Sequence, residues 1–321
     1  MRKSSVAEAN ETRTQQSVAS PATEIGGLAS KKSRSLWSDA WRTFRRHRLA
    51  LFGTFVMVTL ILLTALGPLI WSQTDIDFTN STQAPSLDHP FGTDDLGRDI
   101  MARVFWGGRV SLSVGIVAVV IAITLGTLIG AVSGFFGGLM DSSLMRFTDM
   151  AISLPILPLL LLCSYLFRDS LTDRFGQTLG PFILVVGLIG VLSWMPVARL
   201  VRASFLSVKE KEFIEAAYCI GASRSSIIFR HILPNTIGPV IVAATIGIGS
   251  AIITESSLSF LGLGFPPDSP TWGRLLSDGR NYMDFAAWFV IFPGLAIFLS
   301  VLSINYIGDG LRDAFDPRRT M

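Results

Sequence analysis

The sequence is poor in what a catalyst or a soluble domain needs. Of 321 residues, 16% are charged, two are cysteine and three are histidine. Cys163 falls in an apolar run and Cys219 in a polar stretch, so no disulfide is expected, and no metal-ligand spacing exists. His47, His89 and His231 all lie outside the apolar runs. That leaves no Ser/His/Asp or metal constellation for chemistry inside a membrane. The five lysines are Lys3, Lys31, Lys32, Lys209 and Lys211, and none follows a glycine. A phosphate-cradling Gly-x-x-x-x-Gly-Lys-Ser/Thr loop is therefore absent. Strand-like alternation is missing too. The acids of the 72–109 stretch lack the ligand ladder of a calcium loop.

Long apolar runs are what the sequence does have. Half of the chain is apolar and the mean hydropathy is +0.50, a balance that soluble domains do not carry. The apolar residues gather into six runs, 49–71, 110–136, 141–167, 180–202, 236–260 and 286–308. Each is long enough to cross a hydrocarbon core of about 30 Å. A bilayer satisfies backbone polar groups only inside a helix or a closed barrel. The expected fold class is therefore all-α, a polytopic membrane protein with about six transmembrane helices.

Residues 1–48 are expected to form an N-terminal tail. Its first 30 residues are rich in Ser, Thr, Ala and Gln and read as disordered. The first apolar run is too long and too far along the chain for a cleavable signal. Trp37, Trp41 and Phe44 recur at helical spacing beside Arg42, Arg45 and Arg46. That pattern predicts an amphipathic helix near 36–48 lying against membrane lipid. Next come a first transmembrane helix and extracytoplasmic loop over 49–109 and a core transmembrane domain over 110–308. The core contains a coupling segment at 203–235, and a tail follows at 309–321.

Basic residues set the orientation. Of 27 Lys and Arg, seven fall in 72–109, 168–180 and 261–285. The other twenty fall in the two tails, the 137–146 turn and the 199–231 loop. The positive-inside rule then puts both termini and the 199–231 loop in the cytoplasm, with the chain in the plasma membrane. The net charge of +3 is this asymmetry, and no nucleic-acid motif accompanies it.

Several polar or small residues inside the runs call for explanation. Asp149 is expected to pair locally with Arg146. Glu255 is a candidate for a translocation path, where it would meet an ammonium group. Pro155, Pro158 and Pro196 should bend their helices. Gly126, Gly130 and Gly134 recur every four residues and allow close helix contact. Thr93 or Asp94 is expected to cap a helix in the loop before the second run.

The most informative stretch lies between the fourth and fifth runs. Phe213, Ala216, Ala217 and Ile220 fall at i, i+3, i+4 and i+7, the spacing of one helix face. Gly221 suits the left-handed backbone that ends a helix. Ile227, Ile228 and Ile232 form a second apolar stripe, and Pro234 is expected to hold Leu233 extended and stop the helix. The small Ala216 and Ala217 admit a partner closely, and Glu215 offers a carboxylate for an arginine to clamp.

The run from Glu215-Ala216-Ala217 through Gly221 to Leu233-Pro234 resembles the EAA motif of importer-type ABC transporter permeases. One position departs from the family pattern. His231 stands where isoleucine is preferred, and the His231-Ile232-Leu233-Pro234-Asn235 ending resembles the peptide-transporting branch. The stretches His89 to Asp99, Gly108 to Leu112, Ser259 to Gly264, Trp272-Gly273 and Gly308 to Arg318 are similar to the C-type permease of dipeptide and oligopeptide importers. The likeness runs from about residue 35 to 319.

This resemblance implies the type I ABC importer permease fold. It implies a transport subunit, not an enzyme, that forms half of a translocation path for peptides. Nickel or another small solute is the alternative cargo within the same subfamily, and a self-contained secondary transporter is a further alternative. ATP and Mg would be bound by partner subunits, with no cofactor in this chain. The implied partners are a second related permease, two ATP-binding subunits and an extracytoplasmic substrate-binding protein. Coupling is expected at Glu215, Ala216, Ala217, Gly221, Ser223, Leu233 and Pro234.

Overall fold

The structure is a computed structural model that describes residues 36–71 and 76–315. The expected disorder of residues 1–30 and the Asp316-Pro317-Arg318 ending lie outside the described residues. The chain divides into two compact units, one ending at Trp41 and one beginning at Arg42. Among the described residues the fold is helical and holds no strand.

Helix α1, Leu36–Phe44, lies within the stretch expected to be amphipathic. A short turn leads to α2, Arg48–Ile70, whose first turn is capped by His47 accepting from the Ala50 amide at 3.1 Å. Then follow α3 Ile100–Phe136, α4 Gly138–Ser153, α5 Ile156–Leu192, α6 Trp194–Lys209, α7 Glu212–Cys219, α8 Leu233–Phe260, α9 Trp272–Gly279 and α10 Trp288–Phe315.

Among the described residues, five continuous helical stretches are long and apolar enough to cross a membrane, and the third runs from Ile156 to Lys209, 54 residues. At 1.5 Å per residue, a straight helix of that length would measure about 80 Å, far beyond any bilayer. It is not straight. Gly176 has φ 85 and ψ 169. Nine residues on from Leu171, Gly180 lies so near it that an added Cβ would be 2.6 Å from the Leu171 carbonyl oxygen. The chain doubles back at Gly176, which a side chain would resist at that φ. Leu160 from the first arm and Val185, Val186 and Ile189 from the second therefore share one buried cluster. Among the described residues the fold thus has six crossings.

With six crossings both described ends of the second unit meet. Gly310 lies against Ala50 and Phe44, and His47 Nε2 is 3.9 Å from Asp313. This is the terminal end of the bundle. The far end carries the Gly176 reversal and the 261–287 connection, which Ser164 and Arg168 bind through the carbonyls of Leu263 and Gly262.

Helix ends differ from the apolar runs in instructive ways. The expected third span, 141–167, is two elements. Gly137 and Gly138 both take positive φ, and Leu154 is extended ahead of Pro155 as a residue before proline prefers. Helix α4, carrying Asp141, Arg146 and Asp149, is thereby cut off from the spanning arm that begins at Ile156. The second span starts at Ile100, and its cap is Asp99, which accepts from the Ala102 amide at 3.0 Å. Within the loop, Asp94 accepts from the Leu96 and Arg98 amides, both at 2.9 Å, and so closes a turn and not a helix. Asp94 is fully buried and bound by Arg98 Nε at 2.6 Å and Arg103 Nη1 at 2.7 Å.

The glycine stripe of α3 seats α6. Added Cβ atoms at Gly126 and Gly134 would fall 2.6 Å from Val197 and 2.7 Å from Phe205, and one at Gly130 would press on the Ala198 carbonyl oxygen. These glycines let two backbones of the same chain touch.

Candidate functional site

Helix α7 sits between α6 and α8 at the terminal end. Two residues separate it from α6, and Glu212 and Glu215 lie in its first turn, where carboxylates complement the helix dipole. Gly221, with φ +81, ends it. The Ala222 amide donates to the Ala217 carbonyl and the Gly221 amide to Tyr218, both at 3.0 Å, so the terminal carbonyls are satisfied. Ser223 then caps the next turn, its Oγ accepting from the Ser226 amide at 3.3 Å.

The buried side of α7 is not the expected one. Ile214 and Ala217 are the buried residues. Ile214 joins a cluster with Phe135, Val201, Phe205, Ile227 and Ile232, drawn from α3, α6 and the segment before α8. Phe213, Tyr218 and Ile220 point outward at 46%, 44% and 85% exposure. Ala216, Glu215 and Glu212 are exposed beside them. Of the apolar stripe read from the sequence, only Ala217 faces in. The rest forms a ridge of apolar and acidic groups on a helix pinned from beneath.

Pro234 does not stop a helix either. Leu233 is helical, with φ −56 and ψ −44, and Pro234 is the second residue of α8. Residues Ile227–Ile232 form a π-helix, and the Leu233 amide reaches back five residues to the Ile228 carbonyl. That wider turn carries the chain into α8 without a break. Ile227 and Ile232 are buried, and Pro234 and Asn235 are exposed.

Two arginines of α6 tie it to α4. Arg202 donates to Asp141 of α4 from Nε at 2.5 Å and Nη2 at 2.6 Å, and Ser133 of α3 binds the same carboxylate. These partners hold the Asp141 carboxyl below its ordinary pKa, the Arg202 bond being the largest cause. Arg199 pairs with Asp149, so Asp149 finds its partner on α6, not in Arg146. Lys209, the last residue of α6, donates to the Phe135 carbonyl at 2.9 Å. Nothing in sequence spacing points to these partners. Asp141 and Arg202 are 61 residues apart.

Glu255 lies at the other end of α8 and is fully enclosed. It accepts from Ser111 at 2.9 Å and from Ser259 at 2.7 Å. Ser111 also receives the Trp272 amide at 3.2 Å. Glu255 thus ties α3, α8 and α9 together and is remote from the α7 ridge. It does not face an open path in this chain. Serines one turn away and on the neighbouring helix supply donors that a cargo would otherwise offer.

Residues 122–321 match the family model described as "Binding-protein-dependent transport system inner membrane component". The chain belongs to this family of transport permeases. Residues 35–85 match the "N-terminal TM domain of oligopeptide transport permease C". The permease is 42% identical over 291 residues to the "Oligopeptide transport system permease protein OppC" of Escherichia coli (strain K12), covering 89% of this chain and 93% of the relative. It is 39% identical over 286 residues to the "Dipeptide transport system permease protein DppC" of Alkalihalophilus pseudofirmus, covering 88% and 90%. A solved structure titled "Crystal structure of an amino acid ABC transporter with histidines" aligns with TM-score 0.48 and 16% identity, over 65% of this permease and 92% of that chain. The permease is thus a multi-pass membrane transport component, not an enzyme.

Proposed function

We propose that this permease is the membrane-spanning half of an ATP-driven importer of dipeptides or oligopeptides, and that α7 receives the force. The observation that carries this reading is the α7 ridge. A helix anchored by Ile214 and Ala217 presents Phe213, Ala216 and Ile220 outward, flanked by Glu212 and Glu215. Apolar residues so exposed on a pinned element mark a contact surface. A cleft with an apolar floor and a basic rim complements it, and Glu215 suits a bidentate arginine. Gly221 and Ser223 fix its exit, and Leu233 and Pro234 start the span beyond.

The terminal end of the bundle is cytoplasmic in this reading, as the arginine and lysine excess favours. Two ATP-binding subunits holding ATP and Mg close on nucleotide and carry α7 with them, one helix per permease. Each α7 moves α6 and α8, which flank it, and α6 moves α4 through its two ion pairs. A rigid-body switch between inward and outward states follows. A second related permease completes the path, and an extracytoplasmic substrate-binding protein delivers cargo at the far end. Peptide cargo is the reading supported by the names of the relatives.

Co-expression with the two ATP-binding subunits and the second permease tests this. Glu215→Arg is expected to leave membrane insertion intact and to reduce ATPase association by roughly 30-fold or more, the cost of reversing one member of a buried charge pair. Normal association and peptide uptake by that variant would refute the docking role.

A further inference from the structure

The apolar run 180–202 is interrupted near its middle. Helix α5 ends at Leu192, α6 begins at Trp194, and Ser193 between them has φ −112 and ψ 2. Hydrocarbon offers no partner to backbone polar groups. Irregular backbone at membrane depth persists only where protein encloses it or water reaches it. Ser193 and Pro196 are exposed, so protein of this chain does not enclose them.

The break also leaves acceptors free. The last carbonyls of α5 have no helical donors beyond the break. Pro196 carries no N–H and so cannot donate to the Leu192 carbonyl four residues back. The Ser193 amide reaches only the Gly190 carbonyl, at 3.4 Å.

These residues line a cavity of about 720 Å³ between α3, α5, α6 and α8. Its walls are mostly apolar, with Ser193, Arg199, Ser250 and Thr254 as the polar side chains, and the small Ala118, Ala122, Gly247 and Ser250 leave room for a second backbone. A helix of a partner subunit would bring no N–H donors, because its own are bonded internally. An extended chain brings free donors along its length.

Resting on the peptide-import reading, we propose that the Ser193 break is a water-lined step in the translocation path, where free α5 carbonyls accept hydrogen bonds from the backbone N–H groups of an extended peptide. The α8 face at Ser250 forms the wall across the cavity. Passage needs no side-chain recognition there, which suits a path that handles many peptide sequences.

The test uses the assembled transporter with its binding protein. Single variants Ser193→Cys, Ser250→Cys and Val191→Cys are treated with a charged, membrane-impermeant thiol reagent, and the label is located by peptide mapping. Val191 is exposed at 51% but does not line the cavity. The thiols of Ser193→Cys and Ser250→Cys are expected to react about tenfold faster, or more, than that of Val191→Cys, since charged groups enter hydrocarbon reluctantly. A transported tripeptide is expected to slow both of the faster reactions. Equal rates in all three variants, in a complex that imports peptide, overturn the water-lined break and leave the importer reading standing. Fast labelling that the tripeptide does not slow overturns the cargo contact. A parent complex that imports no peptide overturns both.

Discussion

Glu215 and Gly221 do different work within one short helix. Glu215 is exposed and contributes nothing visible to the chain's own packing, so its substitution should alter assembly and not folding. Gly221 contributes a backbone conformation. Its φ is +81 and nothing lies within 4 Å of an added Cβ. The penalty for a side chain there is conformational, not steric. Gly221→Val is expected to cost about 1–3 kcal/mol, read as a lower melting temperature of the purified complex with the spans still inserted. An unchanged melting temperature would show that the turn does not need glycine. The Gly221 turn was legible in the sequence because glycine after a helical stripe has a chemical signature of its own. Ile214 was not. Phe213, Ala216, Ala217 and Ile220 make an equally good stripe, and periodicity cannot say whether an apolar face serves its own core or a partner. Here the larger share of the stripe is turned outward, and one isoleucine with one alanine holds the helix down.

At the scale of elements, two contacts define how α6 is held. On one side the glycine stripe of α3 brings the backbones together. Gly130→Leu would force a side chain to within clashing distance of the Ala198 carbonyl and Val201. Overpacking of this kind costs about 1–3 kcal/mol, and thermal unfolding of the purified complex should show it. On the other side the Asp141–Arg202 pair ties α6 to α4. The Asp141 carboxyl is held below its ordinary value of 3.8. Its stabilising share is therefore fully present above that value and is lost as pH falls through the lower, folded one. Asp141→Asn is expected to weaken coupling between ATP hydrolysis and uptake at neutral pH and to flatten the acid limb of the stability profile. Coupling and acid limb like those of the parent would contradict the tie. The stripe was legible, since a four-residue glycine repeat has few other uses. The tie was not, because its partners are far apart in sequence. Helix α4 was hidden for a related reason. Its Leu, Met, Phe and Ile residues kept the apolar run going across the break at Leu154-Pro155.

For the whole molecule, run lengths carried the count of crossings. The structure reaches the same six by folding a 54-residue stretch back at Gly176, inside the polar stretch from Arg168 to Thr178 that separates the 141–167 and 180–202 runs. Six crossings bring Phe44, Ala50 and Gly310 together and place α7 at that same end. Glu255 was not legible at this scale. An acid within an apolar span reads as a path residue when its neighbours are unknown, and only the approach of α3 and α9 reveals it as an internal tie.

The central claim is that α7 meets the ATP-hydrolysing subunit, and the chain carries its own probe for it. Cys219 is exposed at the end of α7. Treating the assembled, ATP-hydrolysing transporter with a short thiol-to-amine cross-linker is expected to join Cys219 to the ATP-binding subunit, with loss of the product in Cys219→Ser. A product with the extracytoplasmic binding protein in place of the ATP-binding subunit, or none in an active complex, would contradict the account.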